Sequence, residues 1–464
     1  QCSMIVDAAF RVLERTGCLV QHEGALKLLK NAGCRTDGNR VWIPAWLIQK
    51  ALVTAPKQAV VYDREGKPAL NLSARSGEAH FVAGLENQYR IDIDTGEKRP
   101  TVKEDVRNVG KVIQESPNID VACGLASIND CTEALADAYE LRMLLETTTK
   151  PILVWNFSES SFRTQIELCA AVAGGMDKFL EKPFILAGGA SSPPLSHSQE
   201  ALGKMLYMFE LGLPSPYIAG TMMGATAPVS IAGALVTGLA DIFTGLVLSQ
   251  VKNEGTPFFP AMFVDMFDMR AAMLAMSSPE FSLGGAAVSD LMRYVNLPFA
   301  VHLGCTDSPV FDQQAAFDIG TQLYTGLLSG ANLNFFAGYL ETAMSSSIET
   351  LLFCDEAIGY YKYIVSGVEV TPETLAEDVI DKVGPAGDYL GQKHTREHFK
   401  DHWMPSSIAR TSYENWQAAG AKDLKSRYSD KAREIIAKEP EKPLAPELLA
   451  ELDGILEKAE AALK

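Results

Sequence analysis

The chain has 464 residues, of which 47% are hydrophobic and 21% charged, the balance of a globular protein long enough for one large domain with extensions or for two domains. Its formal net charge of −17 at pH 7 argues against nucleic acid as a partner, because phosphate contacts need an excess of Lys and Arg on some face. Eight cysteines (Cys2, Cys18, Cys34, Cys123, Cys131, Cys169, Cys305, Cys354) lie scattered with no CxxC, which argues against a zinc ribbon or disulfide framework and fits a reducing, cytoplasmic interior.

The chain starts at Gln1 with no visible signal peptide, and the native start is expected upstream. From Cys2 to about Ser73, apolar residues at helical spacing (Val6, Phe10 and Leu13; then Ala25, Leu28, Leu29 and Ala32) predict two helices. Pro44 opens a third through Trp46, Ile48 and Leu52, and Val60 to Tyr62 with Leu70 and Leu72 predicts a hairpin. This front part, residues 1–78, reads as an α/β cap.

Residues 79–370 repeat. Apolar runs suited to buried strands occur at His80 to Gly84, Ile119 to Leu125, Pro151 to Phe157, Pro183 to Gly189, Pro216 to Met222, Pro257 to Met262, Pro298 to Gly304 and Ala331 to Phe336. Their starts are separated by roughly 32 to 41 residues, room for one strand, one helix and two loops. Helices are expected between them at Thr101 to Gln114, opened by a T-x-x-E capping box (Thr101, Glu104), and at Thr132 to Leu145, Ser161 to Ala173 and Glu200 to Glu210. Tyr89 to Thr101 reads as a hairpin turning at Asp94-Thr95-Gly96. Eight such units predict a (β/α)8 TIM barrel, whose active site belongs at the C-terminal ends of the strands.

Pro216 to Gln250 shows one unit in full: a strand, a glycine-rich loop and an apolar helix, with Pro228 expected in the first helical turn. Pro228 to Val251 is long enough to span a bilayer, but Asp241 at its middle and the lack of an aromatic or basic girdle favour a helix wedged inside the protein. No membrane association is expected. Residues 371–464 read as a C-terminal helical extension, with a helix start at Thr371-Pro372-Glu373, a break at Gly384-Pro385-Ala386-Gly387 and two charged amphipathic helices from Asp423. These helices could serve a homo-oligomer.

Side chains that could reach a cavity at the strand exits are Glu86, Tyr89, Trp155, Phe157, Met222, Met223, Met262, Phe263, His302, Asp307, Phe336, Tyr339 and Glu341. Singly, each aromatic is more readily core than ligand contact; together they suit an alkylated cation, which ring faces hold without hydrogen bonds. No Ser/His/Asp arrangement and no phosphate-binding G-x-x-x-x-G-K-[ST] is present. The string HTREH, with His394, Glu397 and His398 followed by His402, satisfies the H-x-x-E-H spacing of some zinc proteases. It lies outside the eight units, so a capping or lid role is the better reading and no metal is expected.

At GTMMGATAPVSIAGALV, ANLNFFAGYLE and HTREHFKDHWMP, continued by Tyr413-Glu414-Asn415-Trp416, the chain resembles the trimethylamine methyltransferase family. The resemblance extends over essentially the whole chain and includes the IDIDTGEKR hairpin. It implies a barrel enzyme that passes a methyl group to the cobalt of a separate corrinoid protein, so that cobalamin is supplied by that partner and none is held tightly by this chain. Members acting on trimethylamine carry pyrrolysine, whereas every residue here is standard. The resemblance therefore points to the non-pyrrolysine branch and to quaternary amines such as glycine betaine, proline betaine, carnitine or γ-butyrobetaine.

On this reading no residue acts as acid or base. Tyr89, Trp155, Phe263, Phe336 and Tyr339 would form the cage, Glu341 would stand near it, and His302 or His394 would meet a carboxylate. Two other functions fit the sequence: a metal-dependent barrel hydrolase using His394, His398 and His302, and a betaine-binding protein without transfer activity.

Overall fold

The structure, a computed structural model, describes residues 1–85 and 87–463. It is a mixed α/β protein built on parallel pairing. Strands His80–Ala83, Leu333–Ala337, Ala300–His302, Phe258–Asp268, Ser215–Met223 and Gly189–Ala190 pair side by side in that order, all parallel. Ile152–Val154 pairs in parallel with Ile185–Ala187, immediately before Gly189. Two isolated parallel pairs, Val82 with Val121 and Ala122 with Ile152, join the remaining neighbours.

Seven of the expected runs thus contain strands, and Ile119 to Leu125 does not: it contributes only those two single pairs. The run beginning at Pro257 continues beyond Met262 to Asp268 and folds back in a hairpin with Met273–Ala275. Prolines stand at or just before the strand starts, as at Pro151 and Pro257, where no ladder N–H is needed.

The intervening helices start on side-chain caps. Ser158 accepts a hydrogen bond from the N–H of Ser161, Ser230 from Gly233, Ser278 from Phe281 and Asp312 from Ala315, each satisfying a helical donor that would otherwise be orphaned. Two expected caps are corrected. The helix after the Tyr89 hairpin is Lys103–Gln114, and its first turn is tied by Asp105, whose carboxylate accepts from the Val102 N–H at 2.9 Å, rather than by Thr101 and Glu104. The apolar helix is Ile231–Lys252, so Pro228 precedes its Ser230 cap and lies outside the first turn.

That apolar helix fits a membrane span by length and composition. Here it is enclosed by the strands Ser215–Met223 and Phe258–Asp268 and by the N-terminal helices Cys2–Arg15 and Ala45–Thr54, with Phe10 and Phe243 meeting at 5.2 Å. Asp241 at its centre is fully buried against Ser191 and His197. Burial raises the Asp241 carboxyl to about 7, against hydrogen bonds from Leu195 and Ser191 that favour its charge.

The N-terminal region contains the three expected helices and the antiparallel pair Gln58–Tyr62 with Pro68–Ser73. It also holds a small sheet of Cys18–Val20, Arg40–Trp42 and Arg35–Asp37, extended by Ser196–His197. At the other end, Leu424–Ile436 lies on Ile348–Val365, and Pro446–Ala462 lies on Glu159–Ala173.

Candidate functional site

A cavity of about 620 Å³ lies at the C-terminal ends of four of the parallel segments. Its wall comprises Leu85, Asn87, Gln88 and Tyr89 after the first strand, Ser127 and Asn129 after the 121–122 segment, Trp155 after Ile152–Val154, and Phe336, Tyr339, Ala343 and Met344 at the end of Leu333–Ala337.

Close backbone approach sets the rings in place. A Cβ on Gly84 would lie 2.3 Å from Cε1 of Tyr339, and one on Gly220 would lie 2.3 Å from Cζ of Phe263. Gly84 just past its strand and Gly220 within Ser215–Met223 therefore leave the volume that two rings fill. From Tyr339 the rings run inward as an array: Tyr339 to Phe336 at 5.0 Å, Phe336 to His302 at 4.6 Å, and His302 to Phe263 at 4.1 Å between centroids. Such separations suit offset and edge-to-face contact.

Trp155 is held by its backbone, whose carbonyl accepts from Gln165 Nε2 at 3.0 Å. The following turn is pinned by Asp137, which accepts from the Phe157 N–H and the Ser161 hydroxyl. Burial raises the Asp137 carboxyl above its ordinary range, opposed by these same hydrogen bonds.

The loop that closes one side is unusual in its backbone. Glu341, Thr342 and Ala343 have φ of 52°, 53° and 63° in succession, and Phe336 has 82°. Non-glycine residues visit this left-handed region rarely, at a cost of roughly 1–2 kcal/mol each. Neighbours hold it there: the Glu341 N–H donates to the Ser308 carbonyl at 2.8 Å, the Thr342 N–H to the Thr306 carbonyl at 3.0 Å, and the Thr342 hydroxyl to Asp307 at 3.0 Å.

Of the residues singled out from the sequence, Tyr89, Trp155, Phe336 and Tyr339 share the cavity wall. Phe263 and His302 lie behind it in the ring array. Burial pushes the His302 imidazole down to about 3, with the Met262 backbone acting weakly the other way, so it is neutral. Glu341 pairs with Lys98 at 2.6 Å, and Lys98 Nζ in turn stands 4.6 Å from the centre of the Tyr89 ring. One face of Tyr89 is thus already met by a cation.

Other expectations are corrected. Met262 points away from the array, toward the helix at Gly238. Asp307 is a loop anchor, accepting from the N–H groups of Met276 and Ser277 and from the hydroxyls of Ser277 and Thr342. Phe157 lines a neighbouring cleft that shares Ser127 and Asn129. Glu86 lies outside the described residues.

His394 is not at this site. It sits on the short helix Lys393–His398, lining a separate pocket with Tyr363, Val368, Glu369 and His402, and its Nε2 lies 3.3 Å from the Glu373 carbonyl. His398 pairs with Asp401 at 2.8 Å, and that hydrogen bond raises its pKa. His302 has Phe263, Phe335 and Phe336 as its neighbours, so the three histidines of a hydrolase are not assembled. Among the described residues no group of three or more His, Cys, Asp or Glu is placed to hold a metal.

The wall also carries amides that the ring pattern does not single out. Asn87 is 5% exposed, and neither its Oδ1 nor its Nδ2 has a hydrogen-bond partner among the described residues. A buried orphaned amide on a cavity wall is an expensive arrangement unless something else satisfies it. The signal was available, as Asn87 and Gln88 come shortly after the apolar run His80 to Gly84, where a parallel strand exits.

The family model for trimethylamine methyltransferase matches residues 1–463. A trimethylamine methyltransferase of Desulfitobacterium hafniense is 30% identical over 459 residues, covering 98% of this chain and 92% of that protein. A glycine betaine methyltransferase from another strain of the same species is 28% identical, covering 98% and 95%. The crystal structure of the Methanosarcina barkeri monomethylamine methyltransferase superposes with a TM-score of 0.56 at 12% identity, covering 94% of this chain and 86% of that one, a likeness of fold. With a match along its whole length and curated relatives that are methyltransferases, the chain belongs to the trimethylamine methyltransferase family.

Proposed function

We propose that this protein moves a methyl group from a quaternary amine, with glycine betaine the first substrate to test, to the Co(I) corrinoid of a partner protein in the cytoplasm. The observation that carries this reading is the single cavity walled by Trp155, Phe336, Tyr339 and Tyr89 at the strand exits. Ring faces attract a permanent cation by about 2 kcal/mol or more when water is excluded. All residues of the chain are standard ones, which favours a substrate that needs no pyrrolysine.

The chemistry suits such a pocket. When docked, the reduced corrinoid supplies the nucleophile, and a quaternary ammonium leaves as a neutral tertiary amine, so no general acid is required of this chain. Its residues would orient one N-methyl toward the open mouth and keep water from the cation. His302, neutral behind the rings, adds no repulsion. The orphaned Asn87 amide and Lys98 at the rim replace His394 as partners for a carboxylate tail.

The architecture proposed with this function is a closed (β/α)8 barrel over residues 79–370, with 1–78 as an N-terminal cap and 371–464 as a helical extension. The single-residue pairs at Val121 and Ala122 support closure, because they connect the two ends of the parallel series. Incubation with a reduced corrinoid protein and a panel of betaines tests the function. Dimethylglycine formation with a change in corrinoid absorbance is expected, and turnover of trimethylamine alone would reject the substrate class.

A further inference from the structure

The strand Phe258–Asp268 runs well past the length its apolar sequence suggests, and Asp265 lies in that extension. Val264 faces Gly284 of the helix Pro279–Val295, while Phe263 points inward over Gly220 to His302 and Phe336. Side chains alternate along a strand, so Asp265 shares the inner face with Phe263, one step nearer the C-terminal ends. It is 4% exposed, and its Oδ1 has no hydrogen-bond partner among the described residues.

Among the described residues no salt bridge reaches Asp265 and no positive group acts on it; the titratable groups it interacts with are Asp307 and Cys305. Asp307 already accepts four hydrogen bonds. Through Thr342 it fixes the loop whose Ala343 and Met344 line the cavity. A lone carboxyl buried beside a second one is a costly placement, and a core position would be better served by an apolar residue.

We propose that Asp265 is the counter-charge for the substrate's ammonium group, giving up its proton to solvent when a permanent cation settles against the rings. The inference rests on the reading of the cavity as a quaternary-amine site. The balance is simple: a neutral carboxyl and a cation become a carboxylate paired with that cation, and one proton leaves. Burial first, and the neighbouring Asp307 second, raise the Asp265 carboxyl to about 8, so the empty protein carries it protonated at neutral pH. Asp265 is not itself a wall residue, and a positive charge held against the rings would lower that value again.

The rings supply affinity for any alkylated cation, whereas Asp265 would separate cations from uncharged isosteres of the same shape. A tert-butyl analogue, which has no basic nitrogen to take the proton, would meet a protonated carboxyl and gain no charge pairing. The residue would thus set specificity at the level of charge.

The test uses the full chain and tetramethylammonium, measured by titration calorimetry at pH 6.5 in two buffers of different ionisation enthalpy. Close to one proton released per cation is expected, with affinity rising as pH increases toward about 8 and levelling off above it. D265N is expected to release none, to lose the pH dependence and to bind weaker by on the order of 30-fold or more. D265E, which retains the carboxyl, keeps the proton release, and with the wild-type proton count it decides the matter even if D265N folds poorly. Binding without proton release, or equal affinity in D265N, overturns the role of Asp265 and leaves the cavity reading standing. Failure of wild-type protein to bind either tetramethylammonium or glycine betaine overturns both.

Discussion

Adding a single methyl group at Gly84 tests whether the placement of Tyr339 controls the cavity. The new Cβ would lie 2.3 Å from Cε1, 2.5 Å from Cδ1 and 3.0 Å from Cζ of the Tyr339 ring. Ordinary carbon contact begins near 3.5 Å, so the ring must retreat by on the order of 1 Å. Its far side offers no easy room, because Phe336 stands 5.0 Å away and Tyr339 is 2% exposed. Gly84→Ala should therefore cost about 1–3 kcal/mol of stability, as overpacking does. It should also weaken quaternary-amine binding roughly tenfold by turning one ring out of line. Thermal unfolding and substrate titration measure the two effects, and Gly454→Ala, with nothing within 4 Å of its added Cβ, is the control for the same chemical change. In a Tyr339→Ala background the Gly84 substitution should cost little more, since the clash has gone. A Gly84→Ala protein with wild-type affinity and stability, or an equal penalty in both backgrounds, would refute the assignment.

Trp155→Ala should raise the Kd for glycine betaine by roughly 30-fold, corresponding to about 2 kcal/mol of lost cation–π attraction, while Trp155→Phe keeps part of it; equal Kd values in calorimetry would remove Trp155 from the cage. His394→Ala and His398→Ala should leave methyl transfer within about twofold of wild type, as both lie in a different pocket, and a large loss of turnover would return them to the site. Stability should fall as pH rises from 6.5 to 8. Asp241 at about 7, with Asp265 and Glu140 at about 8, holds protons in the fold that the unfolded chain has already lost. The opposite contribution of His197 and His302, both lowered to about 3, is mostly in place by pH 6.5, its remainder above that pH being smaller than the loss from the three acids, and that of Lys150, lowered to about 8, is gained chiefly above pH 8. Urea unfolding at the two pH values, with Glu140→Gln showing a smaller drop, checks the sign.

The sequence was informative where a local pattern has one physical meaning. Apolar runs at regular intervals mark parallel strands, and rings just after such runs, such as Trp155 and Tyr339, are delivered to the strand exits. The N-terminal sheet was not legible, because strands of two or three residues such as Cys18–Val20 leave no periodicity to detect. Asp265 falls outside the expected apolar run, which ends at Met262. Yet FVDMFD places an acid two residues after an inward phenylalanine, which is the available clue. His394 misleads for the converse reason: HTREH specifies spacing on a helix and nothing about where that helix sits. Lys98 over Tyr89 could not be foreseen, since the pair lies across a hairpin whose twist the sequence leaves open.

Three adjacent residues with left-handed backbone, Glu341 to Ala343, give the cavity a wall whose shape is fixed before any ligand arrives. A segment tied down in this manner cannot relax around a bulkier head group without releasing its anchors at Ser308, Thr306 and Asp307. Size discrimination on that side becomes a property of the main chain, and redesign for larger amines would begin by rebuilding the loop before exchanging any ring.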